Sequence, residues 1–293
     1  VSIVIYGSNS VFRRLLRRLR RHRLNRFDNS TFLKYVAGKS YAFQENSEHI
    51  ETLALRDSHA DYGLFTPEFP GSFNLGLTSG DLYTAFQLYS THHKKLRNLR
   101  RVVLFFGVFS PGFSLINTSE RYRTVAYKYY LSVPYQDRSC INKLAEMRIV
   151  QKCRKISSEE FSEGQFGYKK KTFFLEDVDV EKRAAVHLKE NRRHQNQLIW
   201  LERLLQLISL NKHSLYIVIP PARSDYRACL PSKHELFKDL YSIKLENTKI
   251  IDCFEGNVVG DEGMGDTDHP NEEGAIKLTK YLRQIIAEIE GSA

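Results

Sequence analysis

The chain has 293 residues, 42% hydrophobic and 27% charged, which excludes a disordered segment and allows one substantial core with a smaller subdomain. Its net charge of +10, from 44 basic against 34 acidic residues, points to an acidic partner, and no apolar run is long enough to cross a bilayer. The four cysteines (Cys140, Cys153, Cys229, Cys253) have no metal-ligand spacing, so free thiols in a reducing compartment are expected.

The first residue is Val1 rather than Met, as in a piece of a longer polypeptide. Residues 2–6 predict a short strand, and 7–10 a turn with a helix cap. Val11, Phe12, Leu15, Leu16 and Leu19 then recur at helical spacing, and eight of the sixteen residues in 11–26 are arginine. Such a basic amphipathic helix either packs on the domain with a solvated face or meets an anionic membrane surface or polyanion. A polar connection is expected over 25–50. Strands follow at 52–56, 72–75, 102–106, 215–219 and 249–253, with helices between them over 80–97, 182–210 and 232–242 and a last one at 271–290. Residues 102–106 are apolar on both faces, as in a covered parallel strand. This alternation predicts a three-layer α/β/α fold with a central, mostly parallel, five-stranded sheet of flavodoxin-like type. The stretch 115–190 breaks the rhythm. It is rich in Tyr, Lys and Arg and carries Lys169-Lys170-Lys171 before Thr172-Phe173-Phe174-Leu175. It reads as an inserted lid or subdomain, or equally as a solvated basic loop. The expected organisation is an N-terminal region over 1–49 and a catalytic domain over 50–293, with the insertion at about 115–190.

Three motifs carry chemistry. Asp57-Ser58-His59 follows a buried strand, so Ser58 lies at the carboxyl edge of the sheet, where α/β folds build their sites. A helix starting there would aim backbone N–H groups at a reaction centre, although a capping serine would look the same. The glycine-rich turn Asn74-Leu75-Gly76-Leu77-Thr78-Ser79-Gly80-Asp81 can bring backbone amides close to a ligand. Asp266-Thr267-Asp268-His269 precedes the last helix. A histidine that moves protons needs a carboxylate to fix its tautomer, and Asp266 can meet one ring nitrogen while the other faces the serine. Asp268 is the alternative, although a cap or surface role suits an adjacent neighbour better.

In this order the motifs resemble the SGNH/GDSL hydrolase superfamily over about residues 50–290. The Gly-Asp-Ser block matches at Asp57 and Ser58, with Arg56 in place of the glycine. The oxyanion glycine aligns with Gly80. Asp-x-x-His matches Asp266 and His269, after which 24 residues remain for one closing helix. The family commonly has Gly-x-Asn-Asp after the third strand, whereas Gly107-Val108-Phe109-Ser110 sets Phe109 at the asparagine position. The resemblance implies a triad of Ser58, His269 and Asp266, with no metal. It also implies an oxyanion hole from the N–H groups of Ser58 and Gly80, in which Asn74 or Ser79 supplies the donor missing at Phe109.

The missing asparagine, together with the Asn74–Asp81 turn, Phe109-Ser110-Pro111-Gly112 and Pro220-Pro221-Ala222-Arg223-Ser224-Asp225-Tyr226, is similar to the glycan O-acetyltransferase branch. That branch implies O-acetylation of a polysaccharide hydroxyl, such as a capsule or cell-envelope polymer, through an acyl-serine. It implies no bound cofactor and, for a cytoplasmic chain, acetyl-CoA as acyl donor; the free cysteines fit a cytoplasmic setting, and the arginine-rich helix fits peripheral contact at an anionic membrane surface. An anionic acceptor is expected, with Arg223 contacting it at the site edge, and no nucleic acid. Two alternatives stand beside this reading. One is a carbohydrate or lipid esterase on the same triad; the other is a non-enzymatic basic module that binds polyanion or membrane.

Overall fold

The computed structural model describes residues 30–156, 166–170, 179–192, 196–243 and 247–292. The strand expected at 2–6, the arginine-rich helix of 11–26 and residues 171–175 lie outside the described residues. Five parallel strands form one sheet: β1 (Thr52–Leu55), β2 (Ser72–Asn74), β3 (Arg101–Phe105), β4 (Ser214–Ile219) and β5 (Thr248–Asp252), in the order β2-β1-β3-β4-β5. Leu53 pairs with Phe73 on one side and Val102 on the other.

The helices are α1 (Ser30–Glu45), α2 (Ser58–Gly63), α3 (Leu82–His92), α4 (Arg123–Leu131), α5 (Lys143–Cys153), α6 (Val180–Arg192), α7 (Leu198–Leu210) and α8 (Glu272–Gly291), with short helical turns between β4 and β5. Successive strand side chains point to opposite faces, so the sheet feeds two cores. Leu53, Leu55, Val102, Leu104, Leu215 and Ile217 join residues of α1, α3, α4 and α7. Ala54, Val103, Phe105, Tyr216, Val218 and Ile251 join residues of α2 and α8. Helices on both faces of a parallel sheet make the fold a three-layer α/β/α sandwich. On α8, Leu278, Leu282 and Ile286 recur every four residues and are buried, each contributing about 1.5–3 kcal/mol. Lys277, Lys280 and Arg283 take the solvent side of the same helix.

Three expectations change here, the first being the helix expected over 232–242, which is two short turns, Lys233–Leu236 and Lys238–Tyr241. The connection expected over 25–50 contains the sixteen-residue helix α1. Its buried face includes Lys39 and Ser40 as well as Leu33, Val36 and Phe43, so an apolar periodicity does not mark it. The helix expected over 182–210 is two helices, α6 and α7. Part of the 115–190 stretch also packs tightly on the sheet. The Asn74 N–H donates to the Phe166 carbonyl at 2.9 Å, and the Lys169 N–H donates to the Asp61 carbonyl at 3.3 Å. All four cysteines are free thiols. No helix among the described residues is long and apolar enough to cross a membrane.

Helix α1 reaches the turn after β2 through a buried charge. The Lys39 ammonium donates to the Asp61 carboxylate and the Gly76 carbonyl, and both ionic side chains are fully buried. The Tyr35 hydroxyl (2.6 Å) and the Thr78 hydroxyl (3.1 Å) also donate to Asp61. Removing one partner of such a pair strands the other charge, which costs about 3–5 kcal/mol. Lys39→Met should therefore lose about that much stability in urea unfolding, and an unchanged midpoint would contradict the pairing.

Candidate active site

Strand β1 ends at the turn Arg56-Asp57, and Ser58 opens α2 at the carboxyl edge of the sheet. Asp57 caps this helix by accepting the His59 N–H at 2.9 Å. Arg56 has φ of +117°, a conformation that favours glycine and costs a larger residue about 1–3 kcal/mol. The strain explains why a glycine suits this position. Here Arg56 is buried, and its Nη1 donates to Asp57 Oδ2 at 3.1 Å and to Ser110 Oγ at 2.9 Å.

The histidine comes from the loop before α8. Met264 and Pro270 form an antiparallel bridge, and the Gly265 N–H donates to the His269 carbonyl at 2.8 Å, so residues 264–270 close tightly. Within this loop Asp266 Oδ1 accepts the N–H groups of Asp268 (3.1 Å) and His269 (2.9 Å). The same carboxylate faces His269 Nδ1 at 2.9 and 3.0 Å, and His269 Nε2 lies 2.8 Å from Ser58 Oγ. With Nδ1 protonated toward Asp266, Nε2 presents a lone pair to the serine hydroxyl. Burial alone would raise the pKa of Asp266, but His269 and their hydrogen bond hold it below the usual carboxylate range. Ser58 is half-buried, whereas His269 and Asp266 are buried.

The expected oxyanion donors fare differently. The Gly80 N–H is taken by the Leu77 carbonyl at 2.7 Å, closing a turn against the serine loop. A Cβ at Gly80 would come within 2.4 Å of the Arg56 carbonyl, so glycine is needed there for close approach. The Asn74 amide is also committed, donating to the carbonyls of Ala60 (2.6 Å) and Leu64 (2.9 Å) while its oxygen accepts the Gly76 N–H (3.0 Å). Asn74 is thus a clamp between β2 and α2 rather than a free donor. Removing it would leave buried backbone groups unpaired, at about 1–3 kcal/mol for each group. Asn74→Ala should lower the unfolding midpoint clearly, whereas an oxyanion donor would lose turnover at unchanged stability. The N–H groups of Ser58 and Ser79 have no acceptor among the described residues. Ser79 has φ of +64°, and its hydroxyl donates to Glu120 and accepts from Arg123.

Asp268 is no surface cap. It is buried, and its Oδ1 accepts from Arg183 Nε of α6 at 2.8 Å and from the Thr267 hydroxyl at 2.9 Å. Its Oδ2 lies 3.1 Å from His59 Nε2, and His59 Nδ1 lies 3.0 Å from Asp57 Oδ1. Burial works against charge on His59, yet Asp57 and Asp268 push its pKa up to about 9. Burial also opposes ionisation of Asp268, but His269, His59, His187 and Arg183 hold it well below the usual range. Phe109, at the position of the expected asparagine, packs against the rings of His59 (5.5 Å between centroids) and His187 (4.8 Å). The roles of His59 and Asp268 are carried by their adjacency to Ser58 and His269 in sequence, a signal that single-motif reading passes over.

Arg223 also departs from expectation. Its guanidinium meets Asp225 through two bonds of 2.7 and 2.6 Å, which balances its charge. Its backbone N–H donates to the Thr267 carbonyl at 3.0 Å, so it supports the histidine loop. Among the described residues, one group of potential metal ligands emerges, His59, Asp268 and His269, within 4.8 Å of one another. Their nitrogens already face Asp57, Asp268, Asp266 and Ser58, so hydrogen bonding accounts for the arrangement. A cavity of about 480 Å³ lies at the opposite end of the sheet, lined by Ile50, Phe69 and Ser72, away from Ser58.

No protein-family model and no curated protein matches the chain. Among solved structures, it is similar to a protein of Streptococcus pneumonia provisionally described as a platelet activating factor, at 12% identity and a TM-score of 0.41, covering 95% of this chain and 100% of that one.

Proposed function

We propose that this chain is a serine enzyme of the SGNH/GDSL type acting on acyl esters. The observation that carries the reading is the continuous path Ser58 Oγ, His269 Nε2, His269 Nδ1 and Asp266, with steps of 2.8 and 2.9 Å at the end of a central parallel strand. In the proposed reaction the Ser58 hydroxyl gives its proton to His269 Nε2 as Oγ attacks the acyl carbonyl carbon. Asp266 holds the ring and balances its charge. Among the described residues the Ser58 and Ser79 N–H groups have no acceptor, which makes them the candidate oxyanion donors, and each such donor is worth about two to three orders of magnitude in rate. Collapse expels the leaving group, which takes the proton from His269. An acceptor hydroxyl then gives its proton to His269, attacks the acyl-serine, and releases Ser58 with its proton restored.

For the acceptor, we favour a polysaccharide hydroxyl, with acetyl-CoA as donor. The net charge of +10 supports an anionic acceptor or the phosphates of the donor. Near the site, Arg123 reaches the Ser79 hydroxyl while paired with Glu120 at 2.8 Å. Lys169 lies over the ring of Tyr35, 3.8 Å from its centroid, and 5.9 Å from that of Tyr62, which packs edge-on against His269 at 5.4 Å. The setting we propose is the cytoplasm, at an anionic membrane surface. The second reading, an esterase, is favoured by the half-buried position of Ser58, which gives water a route to an acyl-serine. The two separate when the protein is incubated with acetyl-CoA and acidic polysaccharides. Acetate on the polymer supports transfer, acetate in solution alone supports hydrolysis, and neither product removes acetyl-CoA as the donor.

A further inference from the structure

His59 stands next to the nucleophile candidate but takes no part in the proton path. It is buried, and both of its ring nitrogens face carboxylate oxygens, Nδ1 to Asp57 at 3.0 Å and Nε2 to Asp268 at 3.1 Å. A neutral imidazole has one N–H and one lone pair, so one of these contacts would set a lone pair against a carboxylate. Protonating both nitrogens turns both contacts into charge-assisted hydrogen bonds. The carboxylates are kept ionised by other partners. Asp57 receives Arg56 Nη1 and the His59 N–H, and Asp268 receives Arg183 Nε and the Thr267 hydroxyl. The charges therefore alternate along Arg56, Asp57, His59, Asp268 and Arg183, from the end of β1 to helix α6.

The remaining neighbours fit this state. His187 of α6 has its Nδ1 3.8 Å from Asp268 and is pushed down to about 4 by burial, so it adds no positive charge at neutral pH. Gly107, in the loop after β3, leaves room for the ring, since a Cβ there would meet His59 Cε1 at 2.8 Å. Phe109 covers the ring from the same loop. His59 also stacks on His269, with centroids 4.8 Å apart and planes 24° from parallel. Asp266 lies beyond His269. Two adjacent residues of one loop thus engage two adjacent residues of the other: Ser58 meets His269, and His59 meets Asp268.

We propose that His59 is a positioning residue, held as an imidazolium between Asp57 and Asp268, that locks the serine loop to the histidine loop and fixes His269 against Ser58 by stacking on its ring. The proposal rests on the serine-enzyme reading of the same site. Losing the lock should displace His269 by a fraction of an ångström to an ångström, and misplacement of that size can cost about 100-fold in rate.

Three measurements decide it. In the wild-type protein, nitrogen-detected NMR of labelled histidine should find His59 with both ring nitrogens protonated at neutral pH, losing a proton near pH 9. A His59 with one bare nitrogen at neutral pH overturns the proposal, whether or not any variant folds. His59→Gln should lower kcat on an activated acetyl ester about 100-fold with KM little changed, and should remove the alkaline limb of the rate profile near pH 9. A variant with wild-type kcat and an unaltered profile overturns it too. Linkage gives the third readout. A pKa raised from about 6.5 to about 9 adds stability that is complete below about pH 6.5 and lost as pH rises toward 9. Wild-type Tm should fall across that window, and the fall should be absent in His59→Gln; a fall of equal size in the variant counts against the lock. Labelling of wild-type Ser58 by a fluorophosphonate separates the two levels. No label sinks the serine-enzyme reading and the positioning role with it, whereas labelling alongside an unimpaired His59→Gln sinks the role of His59 alone.

Discussion

Ser58→Ala should lower kcat on an activated acetyl ester by about four to six orders of magnitude. No covalent intermediate can form without Oγ, and the rate that remains comes from binding and the oxyanion donors. The fold should survive. The Ser58 side chain is half-buried, its hydroxyl meets His269, and the cap of α2 is supplied by Asp57 rather than by the serine. A thermal midpoint within a degree or two of wild type, together with the lost turnover, assigns the loss to chemistry. A variant retaining a tenth or more of the wild-type rate would remove Ser58 from the reaction.

Asp266→Asn should cost about four orders of magnitude in kcat, since an amide can hold His269 in the wrong tautomer without moving it. An asparagine can donate its NH₂ to Nδ1, which places the proton on Nε2 and denies the serine a base. Asp268→Asn tests the competing assignment. Asp268 Oδ1 lies 3.7 Å from His269 Nδ1, against 2.9 Å for Asp266, so the smaller loss in turnover should belong to Asp268. The stability losses should run the other way, because Asp268 is the buried partner of both His59 and Arg183. Parallel kinetics and denaturant unfolding of the two variants check the order, and a larger kcat loss for Asp268→Asn would exchange the two roles.

The sheet is legible in the sequence because each central strand is apolar on both faces and ends in turn residues. All five strands lie within a residue or two of their expected limits. The meeting of Ser58, His269 and Asp266 follows from the same frame. Ser58 ends a central strand, and His269 sits three residues after an aspartate in a loop that precedes the closing helix. Helix α1 escapes the pattern because Lys39 is buried on the face that packs, and a lysine counts as polar until Asp61 is known to lie opposite it. The donor assignments at Gly80 and Asn74 miss for a related reason. Residue type says that an N–H or an amide can reach an oxyanion, but whether it is already spent depends on Leu77, Ala60 and Leu64 across the fold. Asp268 looks like a surface neighbour of His269 until Arg183, more than eighty residues earlier in the chain, is seen bound to it.

In the proposed reaction Ser58 carries the acyl group between donor and acceptor. Rapid quenching after mixing with an activated acetyl ester, followed by peptide mass mapping, tests it directly. An acetyl group is expected on the peptide containing Ser58, approaching about one per chain before steady state and absent in Ser58→Ala. Turnover with no adduct on that peptide, or with the acetyl group on another residue, would contradict it.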